Sequence, residues 1–209
     1  MKLCGVAGAC SRSGKTALAA TLLASSPPGS AVAVKFTTTE DVFERCPRGT
    51  TCIVCDIEVP FRLIEDPAVL REAGTDTARL GEAGAGRVIW TIAKSSHAEA
   101  AWKATRERLR GARLVVVEGS TVVELARPET LFFVVHPFLS TARWKPTSGP
   151  LIARADAVVV NRPAAEARPP ASEVLDALRV ARGKDDFMLA DVTRPLSQWA
   201  PQFAARLAA

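Results

Sequence analysis

Residues 5–16 read GVAGACSRSGKT, and this stretch decides the fold. It opens within a short apolar run, residues 3–8, which predicts a buried strand. It leads into an Ala- and Leu-rich helix predicted for residues 15–24. The polar loop between them fits the relaxed phosphate-binding pattern, in which Ala9 stands where a glycine is usual. Gly8 lies one residue early, so the strict G-x-x-x-x-G-K-T spacing is not met.

The residue types in this loop suit a polyphosphate. Backbone amides turned inward make a concave anion site, and Gly14 lets the chain approach the phosphates closely. Lys15 brings a point charge to the β- and γ-phosphates, and the Thr16 hydroxyl binds Mg²⁺. The positive end of the following helix faces the same phosphates. The sequence therefore predicts a site for GTP or ATP with Mg²⁺, formed by Ala9, Cys10, Ser11, Arg12, Ser13, Gly14, Lys15, Thr16 and Ala17.

Further polar groups come at the ends of other predicted strands. Glu118 ends an apolar run, where a carboxylate can bind Mg²⁺ or polarise a nucleophile. Asp56 follows a predicted strand and is a second candidate for the metal or an attacking water. Ligands of open α/β sheets lie at the carboxyl ends of the strands. We therefore take Lys15, Asp56 and Glu118 as the candidate catalytic residues, and Thr16 and Glu118 as metal ligands.

Three more side chains belong to the predicted nucleotide or substrate site. Asn161 follows a Val-rich strand and can bond the edge of a purine base, although turn-forming Asn is common at such places. Arg162 follows directly. Lys35 ends the second predicted strand, where it either meets an anionic substrate or phosphate or is an ordinary surface lysine.

Strands and helices alternate along the whole chain. The strands are apolar throughout, which indicates burial on both faces beneath helices. We expect an α/β fold with a three-layer, mainly parallel sheet of the P-loop nucleoside triphosphate hydrolase type, in a single domain over residues 1–209. Residues 141–150 read as a polar loop, a lid over substrate or a long connection.

Composition and charge limit the kinds of partner that we expect the chain to bind. The net charge is +5, but the arginines are scattered among Ala, Pro and Glu, so we expect neither nucleic acid nor a membrane as partner. No apolar run is long enough for a membrane helix, and we interpret the N-terminus as lacking a signal peptide. Five cysteines without a secretion signal favour a reduced, cytoplasmic protein.

Three of the cysteines form a C-x5-C-x2-C cluster in a Gly- and Pro-containing segment. Cys46, Cys52 and Cys55 have the short spacing of zinc or Fe–S ligands. Three thiolates are one short of the usual four, and free buried cysteines are also common. A metal or redox site and ordinary packing both remain open.

Several motifs together resemble the SIMIBI group of P-loop NTPases, and within it the MobB family of molybdopterin-guanine dinucleotide biosynthesis adaptors. The loop ending Ser-Gly-Lys-Thr, the strand ending in Lys35, the segment TDTARLGEAGA at residues 75–85 and Val117-Glu118-Gly119 carry the likeness over residues 1–120. It implies GTP binding, slow hydrolysis, a homodimer and a cofactor-assembly enzyme as partner. The family's His and Asp residues after the second strand are missing, because residues 36–55 with their cysteines stand there.

A weaker likeness is to dethiobiotin synthetase, an ATP-dependent ligase family. The shared features are the phosphate loop, Lys35, the V-E-G segment and Asn161-Arg162-Pro163, but its acidic residues ahead of G-K-T are absent. Three functions therefore compete: a MobB-like GTP-binding adaptor, an ATP-dependent ligase, and a non-enzymatic metal-handling switch that uses the cysteines.

Overall fold

The computed structural model describes residues 1–39 and 59–208. Eight strands in this part form one sheet. They are β1 (Lys2–Gly8), β2 (Ala31–Thr39), β3 (Phe61–Ile64), β4 (Arg87–Lys94), β5 (Leu114–Glu118), β6 (Thr130–Val135), β7 (Ala157–Asn161) and β8 (Met188–Ala190).

The sheet is parallel apart from one strand at its edge. The strand order is β3-β4-β2-β5-β1-β6-β7-β8, and only β3 runs antiparallel to its neighbour β4. β1 lies between β5 and β6, and the register pairs Val6 with Glu118. β2 lies on the other side of β5, where Lys35 pairs with Glu118. The carboxyl ends of β1, β2 and β5 therefore meet at one edge of the sheet.

Helices cover both faces of the sheet. The α-helices are α1 (Lys15–Ala24), α2 (Pro67–Leu70), α3 (Asp76–Glu82), α4 (Ala98–Arg108), α5 (Ser120–Ala126), α6 (Ser148–Arg154), α7 (Ser172–Arg182), α8 (Leu196–Trp199) and α9 (Pro201–Ala208). Short 3-10 turns lie at Ser95–His97 and Thr141–Arg143.

Buried apolar side chains form clusters on each face of the sheet. On one face, Leu18 and Leu22 of α1 pack with Val6 of β1 and Phe203 of α9. On the other face, α6 and α7 pack against alternate residues of β6 and β7, and α4 and α5 cover β2 and β5. This confirms the expected α/β fold with a mostly parallel sheet flanked by helices, because a strand buried on both sides needs cover on both sides.

The predicted and observed boundaries of helices and strands agree best where the sequence pattern is distinct. The first helix spans Lys15–Ala24, as its Ala- and Leu-rich sequence predicts. The polar stretch expected to be a loop over residues 141–150 instead holds a 3-10 turn and the start of α6. The strand β3 was not predicted, since four residues give little alternation to detect.

Part of the sequence-based prediction falls outside the described residues. Asp56 and the cysteine cluster of Cys46, Cys52 and Cys55 lie there. In the part of the chain that is described, no helix combines the length and hydrophobicity that crossing a bilayer requires.

Candidate functional site

The loop between β1 and α1 turns sharply at its middle and just before the helix. Arg12 and Gly14 both have positive φ, 62° and 106°. Leu18 N donates to Gly14 O at 2.9 Å, which is the first turn of α1. The amides of Lys15, Thr16 and Ala17 therefore have no carbonyl of their own helix to bond. These amides, with the positive end of a ten-residue helix, give the loop the character of an anion site.

Gly8 is required by close packing beneath the loop. A Cβ at this position would lie 2.4 Å from Ser13 Oγ, 2.8 Å from Lys15 Cγ and 3.0 Å from the carbonyl oxygen of Val134. Ala9, in contrast, is fully buried and its side chain belongs to the apolar core. The glycine one residue early is therefore a position at which a Cβ would crowd Ser13, Lys15 and a carbonyl of β6.

Lys15 folds over the loop, and its Nζ donates to Cys10 O at 2.8 Å. Burial lowers the pKa of Lys15, the carboxylate of Glu118 partly offsets this, and the ammonium groups of Lys145 and Lys35 lower the pKa further. The pKa lies below the ordinary value for lysine. An anion placed in the loop would relieve this unfavourable crowding of positive charge.

Glu118 is the most deeply buried charged group of the site, at 1% exposure. The Thr16 hydroxyl donates to its Oε2 at 2.9 Å, and Lys35 Nζ donates to its Oε1 at 2.8 Å. The carboxylate is held by the first turn of α1 and by the neighbouring strand. A buried carboxylate needs such partners, since burial without them costs several kcal/mol.

Asp76 joins this network; it belongs to the segment at residues 75–85 that carries part of the MobB likeness, but it was not predicted as a site residue. It is the first residue of α3, after the capping residue Thr75, and its Oδ2 accepts from Lys35 Nζ at 2.6 Å. Burial raises the pKa of Asp76, but Lys35, with help from the Thr16 hydroxyl, outweighs this and the pKa lies below its usual range. Burial likewise lowers the pKa of Lys35, but Glu118 and Asp76 outweigh it and raise the pKa.

Asn161 lies against the loop from the end of β7. Its Nδ2 donates to Ser13 O at 3.3 Å, and its Oδ1 accepts from Val192 N at 3.4 Å. A Cβ on Gly14 would lie 2.5 Å from the same Nδ2. The Asn161 amide thus links the backbone of the loop at Ser13 to the segment that follows β8 at Val192. The guanidinium of Arg162 instead bonds the carbonyls of Glu166 and Ala167 in its own loop.

The segment after β6 is attached to the loop from the outside. Lys145 N donates to Ala9 O at 2.9 Å, and the Ser148 hydroxyl donates to the same oxygen at 3.5 Å. Burial raises the pKa of the Cys10 thiol, while Lys15, Arg143 and Lys145 act in the opposite direction. The cationic groups of this segment therefore lie near the loop. The only sequence signal for them was a polar loop after a strand, over residues 141–150.

The donor set fits a polyphosphate and a magnesium ion. The first-turn amides and the Lys15 ammonium suit phosphate, and a hydroxyl with two carboxylates, on Thr16, Glu118 and Asp76, suits a hard cation. In the described part of the chain, no group of three or more His, Cys, Asp and Glu side chains could hold a metal by itself.

Comparison with known proteins adds no relative. No protein-family model matches the chain, and no curated protein matches it.

Proposed function

We propose that this protein has a P-loop nucleoside triphosphatase fold and binds a nucleoside triphosphate with Mg²⁺. One observation carries the proposal: the Thr16 hydroxyl, at the start of α1, bonds the buried carboxylate of Glu118, at the end of a neighbouring strand. The arrangement brings an anion-binding helix end, Lys15 and a candidate metal carboxylate to one edge of the sheet. Each of these has a counterpart in the chemistry of a metal–phosphate complex.

The roles of the residues follow from their contacts. The loop amides and Lys15 would bind the phosphates, Lys15 exchanging its bond to Cys10 O for a phosphate oxygen. Thr16 and Glu118 would hold Mg²⁺, which when bound neutralises charge on the phosphates. Asn161 would fix the loop backbone through Ser13 O, a positioning role that precedes any contact with the base.

Hydrolysis by such a site would be slow. The two described carboxylates near the loop, Glu118 and Asp76, are both bonded to Lys35. Neither is a free base for an attacking water, because Lys35 holds both here and a bound metal ion would hold the same carboxylates in its place. We therefore infer an adaptor or switch that holds its nucleotide, resembling the MobB adaptors of molybdenum-cofactor or related cofactor assembly, with a partner enzyme and a homodimer as further proposals.

A binding panel tests the proposal. ATP, GTP, ADP and GDP are titrated with Mg²⁺ by calorimetry into the wild type, Lys15→Ala and the matched control Lys103→Ala, whose side chain is exposed on α4. We expect triphosphate binding that Lys15→Ala weakens by about tenfold or more, equal to about 1.4 kcal/mol, and that the control leaves unchanged. Binding that is equal in all three proteins, or no binding, would refute the proposal.

The same panel separates the competing functions. A preference for GTP supports the adaptor, and a preference for ATP favours a ligase resembling dethiobiotin synthetase. Metal analysis of anaerobically purified protein tests the third function. Stoichiometric zinc or iron without nucleotide turnover would favour a metal-handling switch.

A further inference from the structure

Lys35 and the carboxylates of Glu118 and Asp76 form a cluster of three charged groups in the described chain. Lys35 Nζ contacts Glu118 Oε1 at 2.8 Å and Asp76 Oδ2 at 2.6 Å. The other oxygen of Glu118 accepts from the Thr16 hydroxyl. One ammonium therefore sits against both carboxylates and beside the hydroxyl that would ligate a metal ion.

We propose that Lys35 is a built-in competitor of the divalent ion: its ammonium neutralises Glu118 and Asp76 until a metal–nucleotide complex displaces it, and Asp76 is the second carboxylate of the metal site. The inference rests on the proposed function and deepens it. It assigns Asp76 a role, and it makes metal binding and nucleotide binding mutually dependent.

Burial explains why a cation is needed at this position. The Glu118 side chain is only 2% exposed, and a carboxylate so buried needs a positive partner. Strand register supplies one, because Lys35 lies directly opposite Glu118 on the adjacent parallel strand. Asp76 has no such need, since its side chain is 55% exposed. Its orientation toward the same ammonium therefore builds a second anionic oxygen at the cation position.

The geometry allows one cation at a time. A metal ion that bonds both carboxylates, directly or through its waters, would lie close to the position of Nζ, and the two like charges would repel each other. Lys35 has a flexible four-carbon stem and its side chain is 16% exposed, so the ammonium can leave toward solvent beside Asp76. Incoming phosphates would then supply new negative charge for it.

The consequence is that free Mg²⁺ binds poorly and the metal enters with the nucleotide. Removing the ammonium should leave two carboxylates and a hydroxyl without a cation, and this site should then bind a divalent ion alone. Mn²⁺ is a suitable probe, because it accepts the same oxygen ligands and is detected directly.

The test measures Mn²⁺ binding by electron paramagnetic resonance, without nucleotide. The proteins are the wild type, Lys35→Met, the double variant Lys35→Met/Asp76→Asn and the control Lys103→Met. We expect Lys35→Met to bind Mn²⁺ at least about tenfold more tightly than the wild type, and the double variant to lose most of that gain. The control should match the wild type. Unchanged affinity in a folded Lys35→Met protein, or a gain that survives Asp76→Asn, would overturn the inference.

A second measurement covers the case in which Lys35→Met fails to fold, since it leaves Glu118 without its ammonium. Asp76→Asn alone should weaken nucleotide binding in the presence of Mn²⁺ by about fivefold or more, and leave nucleotide binding in EDTA unchanged. Equal effects in both conditions would contradict a metal role for Asp76. Failure of the proposed function looks different, because Lys15→Ala would then leave nucleotide binding intact whatever the Mn²⁺ result.

Discussion

The usual phosphate-loop spacing would place glycine at position 9, but here the glycine is Gly8 and position 9 is alanine. This difference leads to a specific prediction. Adding a methyl group to Gly8 should damage the loop, whereas removing the methyl group of Ala9 should not. The Cβ of Gly8→Ala would lie 2.4 Å from Ser13 Oγ and 3.0 Å from Val134 O, where ordinary contacts begin at 3.4 Å. The serine must therefore move by about 1 Å, and the strand carbonyl by a few tenths.

The size of the effect follows from the kind of contact. Overpacking of this type costs about 1–3 kcal/mol, which for a chain of this size lowers Tm by about 2–12 °C. Ala9→Gly removes one buried methyl group and adds backbone freedom, for a similar loss of about 1–2 kcal/mol. The two variants are thus matched in stability, but only Gly8→Ala displaces Ser13 and Lys15.

Calorimetric unfolding and nucleotide titration together check the prediction. We expect Gly8→Ala to weaken triphosphate binding by about tenfold or more, and Ala9→Gly to change it by less than about threefold. Adding Ser13→Ala to Gly8→Ala removes the closest contact and should recover part of both losses, since the Ser13 hydroxyl is buried without a partner among the described residues. Equal binding losses in the two single variants would refute the assignment of Gly8 as the essential position.

Two further predictions concern side chains that hold the loop and its carboxylates. Asn161→Ala removes the bonds to Ser13 O and Val192 N and should cost about 1–3 kcal/mol in the free energy of unfolding by urea, with faster amide exchange in the loop; an unchanged exchange rate would contradict the positioning role. The pKa of Asp76 is lowered and that of Lys35 is raised, so their stabilisation should be present between the unfolded-state pKa values of about 3.9 and 10.4. It should be lost as pH falls below that window through the pKa of Asp76, or rises above it through that of Lys35. The difference in unfolding free energy between wild type and Lys35→Met, followed by urea titration, should thus be flat from about pH 5 to 9, and a steep change near pH 7 would contradict this.

The sequence predicts the sheet and the first helix well because their signals are local. A fully apolar run such as residues 114–117 can only be buried on both faces, and an Ala- and Leu-rich run after Gly14 continues as a helix. The carboxyl ends of parallel strands share an edge, which is why Lys35 and Glu118 are expected near each other. Strand β2 continues to Thr39, however, so Lys35 lies within the strand and not, as the sequence had predicted, at its end. The direct pairing of Lys35 with Glu118, in contrast, depends on register, which apolar runs on both sides leave unspecified.

The contacts that complete the site arise from packing at long range. Asp76 lies 41 positions from Lys35 in the chain. It belongs to the segment at residues 75–85 that carries part of the MobB likeness, and Thr75 caps the helix there, but nothing local indicates that the first turn of α3 lies beside Lys35. The attachment of Lys145 to Ala9 O likewise depends on the path of the chain after β6, because residues 141–150 read only as a polar loop.

The contacts of Gly8 and Ala9 show how the loop accommodates a departure from the usual phosphate-loop spacing. The methyl group of Ala9 packs in the apolar core. The backbone carbonyl of Ala9 accepts hydrogen bonds from Lys145 N and the Ser148 hydroxyl. An alanine therefore serves where glycine is usual, because the segment after β6 fixes its backbone from outside. The position with little room for a Cβ is instead the preceding residue, Gly8, against which Ser13 and Lys15 pack. Packing around the loop thus decides at which positions a side chain fits. A sequence motif, which lists only residue types, reflects this packing indirectly.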